Sequence, residues 1–178
     1  MPNNNPITVD QLKSILDQFF NEKFGFLENI LLKNKQLKEK IQILEERMDS
    51  IESYSRRNNI IVHGVPRQEN ENPLELALEI CKTTGTEIES YEIDEAHRMP
   101  SRNREISPPF IIKLTNRFKK AEIMKNYKKK KITAEIWKGN SNNRIFFNDH
   151  LTKKKQEIFK KAKILWDNYL IWTREGTK

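Results

Sequence analysis

The chain is poor in cysteine, in glycine and in long apolar runs. Its single cysteine, Cys81, excludes an internal disulfide and any zinc site built from cysteines, and it fits a reducing compartment. No apolar stretch reaches the ~18 residues of a membrane-spanning helix, and the first residues lack a secretory signal pattern. The composition therefore predicts a soluble intracellular protein, with a cytoplasmic location favoured and a nuclear one as the alternative.

Signatures of catalysis are also missing. The five glycines form no phosphate-binding loop or dinucleotide turn, and there is no His-Glu-x-x-His zinc motif or nucleophile elbow. Asp94, Glu95 and His97 could resemble a nuclease carboxylate site, but alternation along an exposed strand explains them better. His97 and His150 stand without a neighbouring cysteine or carboxylate pair that would complete a metal site. We expect no enzymatic activity, no cofactor, no metal and no small-molecule substrate.

Positive charge is abundant and unevenly distributed. The formal net charge is +8, but residues 1–115 carry 15 Lys and Arg against 19 Asp and Glu. Residues 116–163 carry 16 basic against four acidic residues. A block this basic attracts polyanions and would release counterions from each phosphate it contacts, which makes binding salt-dependent. The alternative is a solvated lysine-rich face that only maintains solubility.

A heptad repeat occupies residues 27–57. With Leu27 at position a, the a and d positions carry mainly apolar residues, which form a seam that one helix cannot bury alone. The seam consists of Leu27, Ile30, Asn34, Leu37, Ile41, Leu44, Met48 and Ile51. We expect a parallel coiled coil of identical chains, and the mixed seam leaves dimer and trimer open. Asn34 either fixes the register or marks a weak turn.

An N-terminal helical arm is predicted at residues 1–26, with Thr8 or Asp10 as its N-cap.

After the heptads, the hydrophobic period changes from seven to two. The predicted elements are a strand at 58–65, a helix from 73 to Gly85, strands at 91–99 and 110–114, a helix at 118–130, and a hairpin of 132–137 with 144–147. Residues 58–148 are therefore predicted to form one domain with the split βαβ plan, an antiparallel sheet with two helices on one face. RNA-recognition domains use this architecture and leave the other face free to bind.

The inward helix faces follow from the spacing of apolar residues. The first helix of the domain would bury Leu74, Ala77, Leu78 and Cys81, and the second Phe118, Ala121, Met124 and Tyr127. A basic tail at 149–178 would begin with a helix capped near Thr152 and end in a short strand at 171–174. The apolar face of this tail helix would consist of Ile158, Ala162, Leu165, Trp166 and Tyr169.

Basic residues are the candidate nucleic-acid ligands. They are Arg56, Arg57, Arg98, Arg102, Arg104, Lys128, Lys129, Lys130, Lys131, Lys153, Lys154 and Lys155. Arg56 and Arg57 could instead complement a helix dipole. The central strands offer only His63 and Phe110 for base stacking, and Phe110 could equally be core. Trp137, Tyr169 and Trp172 could stack bases but are more typical of a core. We therefore expect contact mainly with the backbone of a single strand, with little dependence on sequence.

Several short motifs resemble the RNA-binding protein encoded by the first reading frame of LINE-type retrotransposons, in its insect form. They are the heptads leading into Tyr-Ser-Arg-Arg-Asn-Asn-Ile at 54–60, Gly-Val-Pro at 64–66, Ile-Asp-Glu-Ala-His-Arg at 93–98, Pro-Phe-Ile-Ile-Lys at 109–113, Phe-Asn-Asp-His-Leu-Thr at 147–152 and Trp-Thr-Arg-Glu-Gly at 172–176. The likeness spans residues 27–176, and the same core is similar to the baculovirus few-polyhedra protein. It implies a coiled-coil homotrimer with a non-standard RNA-recognition domain and a small basic C-terminal domain.

In that family the protein coats its own transcript and acts as a nucleic-acid chaperone. Two departures are evident: the family's C-terminal domain continues beyond the point where this sequence stops, and the zinc-finger region of some insect relatives has no counterpart. The expected partners are single-stranded RNA or DNA and other copies of the chain, with no membrane partner. The alternative is a coiled-coil scaffold or viral structural protein that binds only protein.

Overall fold

The computed structural model describes residues 8–101, 107–137 and 143–165. The chain divides into two units, Met1–Met48 and Asp49–Lys178. Helix α1 (Val9–Ser55) forms the described part of the first unit and continues into the second. It begins at a reciprocal cap, because the Thr8 amide donates to Gln11 Oε1 at 3.1 Å and the Gln11 amide donates to Thr8 Oγ1 at 3.4 Å. Thr8 is therefore the cap, and the helix runs through Gly25 without a break.

Helix α1 buries none of its 47 residues in the single chain. The a and d side chains of the heptads are all exposed, from 38% at Ile30 to 72% at Met48. Four phenylalanines before the heptads, at positions 19, 20, 24 and 26, are exposed as well. An apolar stripe of this length is the feature that a parallel coiled coil would cover.

The second unit contains a four-stranded sheet. In chain order its elements are β1 (Asn59–His63), α2 (Pro73–Thr83), β2 (Ile93–Arg98), β3 (Phe110–Leu114), α3 (Arg117–Tyr127), β4 (Phe146–Asp149) and α4 (Lys153–Leu165). The strands lie in the order β2-β3-β1-β4, and every neighbouring pair is antiparallel. The predicted α+β class is confirmed. Strands β1, β2 and β3 lie within the predicted segments, whereas β4 begins and ends two residues later than the predicted strand at 144–147.

The sheet has two distinct faces because side chains alternate along each strand. Ile60, Val62, Phe110, Ile112 and Phe147 belong to the core, together with the buried residues of α2 and α3. The opposite face carries their neighbours in sequence. Ile61 pairs with Ile111 on that face, and both are buried although neither belongs to the core cluster. All three histidines of the chain, His63, His97 and His150, are on this second face or at its border.

The start of α2 confirms the prediction from Pro73. Asn72 caps the helix, its Oδ1 accepting from the Leu74 amide at 3.0 Å, and Pro73 follows at the first helical position. Cys81 is buried in the core as expected, and burial raises the pKa of its thiol to about 12. The predicted inward residues Ala77 and Leu78 also pack into the core, but Leu74 is exposed, and Leu76 and Ile80 are buried in addition.

Helix α3 differs more from the prediction. Phe118 is 71% exposed and Ala121 is also exposed, while Ile123 and Lys120 are buried. Met124 and Tyr127 pack against the core as predicted. The first half of the helix therefore presents Lys120 and Ile123 inward instead of Phe118 and Ala121, and Lys120 contacts an acidic partner described below.

The predicted hairpin is reduced to a single bridge between Thr133 and Arg144. Residues Ala134–Trp137 form a 3-10 turn instead of a strand. Trp137 is buried and its Nε1 donates to Glu79 at 2.8 Å, which identifies it as a core residue and not a stacking one. Helix α4 starts after Thr152 as predicted. Among the described residues of its expected apolar face, Ala162 is buried, whereas Ile158 and Leu165 are exposed.

Other predictions fall outside the described residues, namely Trp166, Tyr169, the strand at 171–174 with Trp172, and the loop residues Arg102 and Arg104. Across the part of the chain that the structure describes, no helix has both the length and the apolar character needed to cross a membrane.

Candidate nucleic-acid interface

Arg56 and Arg57 occupy the tight connection between α1 and β1. The Arg56 side chain pairs with Glu52 one turn earlier and donates from Nη1 to the Leu151 carbonyl at 3.0 Å. The Arg57 guanidinium lies 3.6 Å from the centre of the Tyr54 ring, a cation–π contact. Arg56 is half-buried and partly structural, whereas Arg57 is exposed and carries its charge at the surface.

Lys120 brings a third cation to the same place. Its Nζ lies 2.7 Å from Asp149 Oδ1 and donates to the Arg57 carbonyl at 2.9 Å. This lysine was not among the predicted site residues, because a lysine inside an amphipathic helix normally faces solvent. No sequence signal distinguishes it from its exposed neighbours.

The start of α4 completes the cluster. Thr152 Oγ1 accepts from the Lys155 amide at 3.4 Å and donates to Asp49 Oδ1 at 2.5 Å. The positive end of the helix dipole is therefore next to the cationic side chains. Together they line a small open cavity, which we call the junction cavity; its walls are Ser53, Arg56, Arg57, Lys120, Asp149, His150, Leu151, Thr152 and Lys155. Four cationic side chains against one carboxylate give its walls a net positive charge.

His150 borders the junction cavity in its neutral form. Its Nδ1 lies 3.1 Å from Asn59 Nδ2, so the ring accepts a hydrogen bond there. Burial, followed by the nearby Arg56 charge, lowers the pKa of His150 to about 4, although Glu52 acts in the opposite direction. At neutral pH this histidine contributes no charge to the cavity.

Arg98, predicted as a nucleic-acid ligand, makes its contacts within the protein. Its side chain is only 10% exposed, and its Nε and Nη2 bind the two oxygens of Glu71 at 2.6 and 2.9 Å. The remaining donors go to three carbonyls and a hydroxyl, those of Val65, Pro66, Pro108 and Ser107. Arg98 also holds the pKa of Glu71 below its usual range. All its nitrogens are occupied within the protein, so we reassign it to fastening the loops around β1 and β3.

The lysine runs remain at the surface. Lys128 caps the end of α3, and Lys128, Lys129, Lys130 and Lys131 are all exposed. Lys153 and Lys154 are exposed in the first turn of α4, and Lys155 is half-buried beside the junction cavity. Of the predicted basic residues in the described parts of the chain, the structure brings together Arg56, Arg57 and Lys155.

The second sheet face shows which aromatics are accessible. Phe110 is fully buried in the core, so the core alternative holds and it is not a stacking residue. His63 is exposed, and its strand partner Phe146, which was not predicted as a site residue, is exposed beside it. A two-residue alternation through Ile145, Phe146 and Phe147 would have placed Phe146 on this face.

Within the described residues, no cluster of three His, Cys, Asp or Glu side chains could hold a metal ion. A scan against protein-family models gives no match for the chain. A search of curated proteins gives no significant match either.

Proposed function

We propose that this protein is a homo-oligomeric, largely sequence-independent binder of single-stranded nucleic acid, with RNA as the favoured ligand. The observation that carries the proposal is the 47-residue α1, whose heptads expose a mainly apolar seam from Leu27 to Ile51 and lead directly into the basic domain. An exposed seam of this length favours association with identical helices. Each copy would bring its own junction cavity and lysine runs to the assembly.

Two further features support the proposal. The element order of the second unit and its strand order β2-β3-β1-β4 agree with the split βαβ plan, which RNA-recognition domains use. The basic block of residues 116–163 lies almost entirely within this unit's later elements. The resemblance to the LINE-type RNA-binding proteins leads to the same proposal and favours a trimer that coats RNA as a chaperone.

The proposed mechanism is avidity. One junction cavity offers few phosphate contacts, so a single copy would bind weakly. In an oligomer the second and third contacts become intramolecular, and affinity can rise by roughly 10² or more without a new kind of contact. Loss of the coil should then weaken binding even though every basic residue is still present.

The test compares two double substitutions in the full chain. Leu37→Asp with Leu44→Asp places charge in the seam, whereas Leu32→Asp with Ile43→Asp makes the same chemical change at exposed positions f and c. Light-scattering mass and binding to a single-stranded RNA across a salt series are measured for both. We expect the seam variant alone to become monomeric and to lose at least about tenfold in affinity.

The possible results separate the parts of the proposal. A seam variant that is monomeric but binds RNA as tightly as the parent would refute avidity. An oligomeric parent without RNA affinity at low salt would refute nucleic-acid binding and favour a protein scaffold, for which the exposed phenylalanines near the start of α1 would offer contacts.

A further inference from the structure

The second face of the sheet carries two exposed rings side by side. His63 is the last residue of β1 and Phe146 the first of β4, and the two are directly paired in the antiparallel register. Directly opposed side chains on neighbouring strands have Cβ atoms about 4.5–5.5 Å apart. Phe146 is 46% exposed, and the buried pair Ile61–Ile111 lies farther along the same face. On this face the two rings are therefore accessible to solvent, whereas the neighbouring isoleucine pair is buried.

The backbone beside the pair is fixed by Gly64. It has φ +89°, and a Cβ added there would lie 2.8 Å from the Arg144 carbonyl oxygen. The chain leaving β1 thus approaches Arg144 more closely than any other residue type would allow. The Arg144 guanidinium in turn lies 5.5 Å from the centre of the Phe146 ring. One cation and two rings are held together at this corner of the sheet.

The chemistry of the group suits one kind of ligand. The His63 imidazole is a flat ring, and its partial burial lowers its pKa, which favours the uncharged form. Nucleobases are flat rings that stack on aromatic faces irrespective of sequence, and an adjacent arginine can pair with a phosphate or join the stack. A phosphate beside a stacked base matches the spacing of a single strand better than that of a duplex, whose bases are already stacked.

We propose that His63 and Phe146 form a stacking site for unpaired nucleobases, with Arg144 contacting the neighbouring phosphate. This inference rests on the proposed nucleic-acid function and adds a base-contacting subsite separate from the junction cavity. It also revises the expectation that the sheet lacks a stacking surface, because the second ring comes from the edge strand β4 and not from the central β3.

The experiment compares two ligands: a single-stranded RNA and the same ribose-phosphate strand without bases. Affinities are measured for the full chain and for Phe146→Ala, Phe146→Tyr, Phe146→Leu and His63→Ala. The matched control is Phe118→Ala, since Phe118 is also an exposed phenylalanine beside an arginine, with Arg117 5.2 Å from its ring centre, but is located on α3. Thermal melting checks that each variant is folded.

We expect the parent to prefer the base-bearing strand, and Phe146→Ala and His63→Ala to bind that strand at least about fivefold more weakly. Phe146→Tyr should bind like the parent, whereas Phe146→Leu should bind like the alanine variant, because an apolar side chain without a ring cannot stack. Affinity for the abasic strand should stay the same throughout. Phe118→Ala should change neither affinity by more than about twofold.

Other outcomes would overturn the site. If the parent binds both strands equally, or if Phe146→Leu binds as well as the parent, no base stacks there, and the nucleic-acid function would stand on the basic residues alone. If the parent binds neither strand, this proposal and the proposed function both fail. A parent preference that survives both Phe146→Ala and His63→Ala would place base contact elsewhere on the protein.

Discussion

Lys120 of α3 and Asp149 of β4 form an ion pair that is almost completely removed from solvent. Nζ lies 2.7 Å from Oδ1, and the two side chains are only 9% and 11% exposed. The same Nζ donates to the Arg57 carbonyl, so one ammonium group joins the end of α1, helix α3 and an edge strand. Both residues line the junction cavity, and their ion pair gives the lysine at this inward position of α3 a charged partner.

Removal of the Lys120 charge should therefore destabilise the second unit. In Lys120→Met a buried carboxylate loses a charged hydrogen-bond partner, for which we expect a loss of about 1.5–3 kcal/mol in the free energy of unfolding. Urea denaturation measures the change. Lys113→Met is the control, because the Lys113–Asp94 pair has similar geometry but is solvent-exposed, and its loss should matter far less. Equal losses for the two variants would contradict a special role of the buried pair.

Arg98→Lys should lower stability without changing the salt dependence of RNA binding. A lysine ammonium cannot replace the two-pronged contact with Glu71 and also satisfy the carbonyls of Val65 and Pro66. We expect a loss of about 2–4 kcal/mol in unfolding free energy. At temperatures where the variant is folded, the slope of log affinity against log salt should equal that of the parent. A reduced slope would restore Arg98 to the set of phosphate ligands.

The sequence is sufficient to place β1, β2 and β3, because short apolar runs bounded by Gly, Pro and Asn favour buried strands. The same pattern is misleading at 132–137, where Ala134–Trp137 forms a 3-10 turn. The start of α2 is also predictable. The Asn72 side chain accepts hydrogen bonds from amides at the helix N-terminus, and Pro73, which has no amide hydrogen, leaves one donor fewer to satisfy. Helix faces are harder to predict. In α3 the phenylalanine at 118 looks like the natural core residue, yet Phe118 is exposed, while Ile123 and the ion-paired Lys120 occupy inward positions.

Site residues depend on partners distant in sequence. Arg98 and Arg57 look alike as isolated basic residues. The Arg98 guanidinium binds Glu71, 27 positions earlier, whereas the Arg57 side chain lies over the nearby Tyr54 ring and stays exposed. Local periodicity contains no information about such pairings. Phe146 is different, since strand alternation alone would have placed it opposite the core residue Phe147.

Gly64→Ala should be strongly unfavourable, and Gly25→Ala should not. At Gly64 the substitution combines a positive φ with a contact of 2.8 Å to a backbone oxygen, so we expect a loss of about 2–3 kcal/mol. At Gly25, in the middle of α1, a Cβ meets nothing within 4 Å, and alanine should favour the helix by about 0.5–1 kcal/mol. Denaturation of the two single variants, followed by circular dichroism, checks both signs. A tolerated alanine at Gly64 would mean that the β1–β4 corner can relax.

His150 should make folding stability depend on pH below neutrality. Its pKa is about 4 in the folded protein against 6.5 for an ordinary histidine, so the unfolded chain binds the proton more readily. Stability from this residue is fully present above about pH 6.5 and decreases as the pH falls towards about 4, below which both states are protonated. Because the ring is partly accessible to solvent, we expect only about 1–2 kcal/mol over this range. Urea titrations at pH 7 and pH 4.5 should show that His150→Gln removes this part of the pH dependence. If the difference in unfolding free energy between the two pH values is the same in the variant and the parent, other groups cause it.

Lysines of the exposed run after α3 should contribute to RNA binding through counterion release, and lysines of α1 should not. Lys129→Ala with Lys131→Ala is compared with Lys13→Ala with Lys35→Ala, which removes the same charge from exposed positions of the helix. Each phosphate contact to a single strand contributes about 0.7 to the slope of log affinity against log salt. The first variant should therefore lose up to about 1.4 in slope, while the second retains the parent slope and the same light-scattering mass. If both pairs reduce affinity equally, binding responds to net charge alone and the protein has no localised phosphate-binding surface in this run.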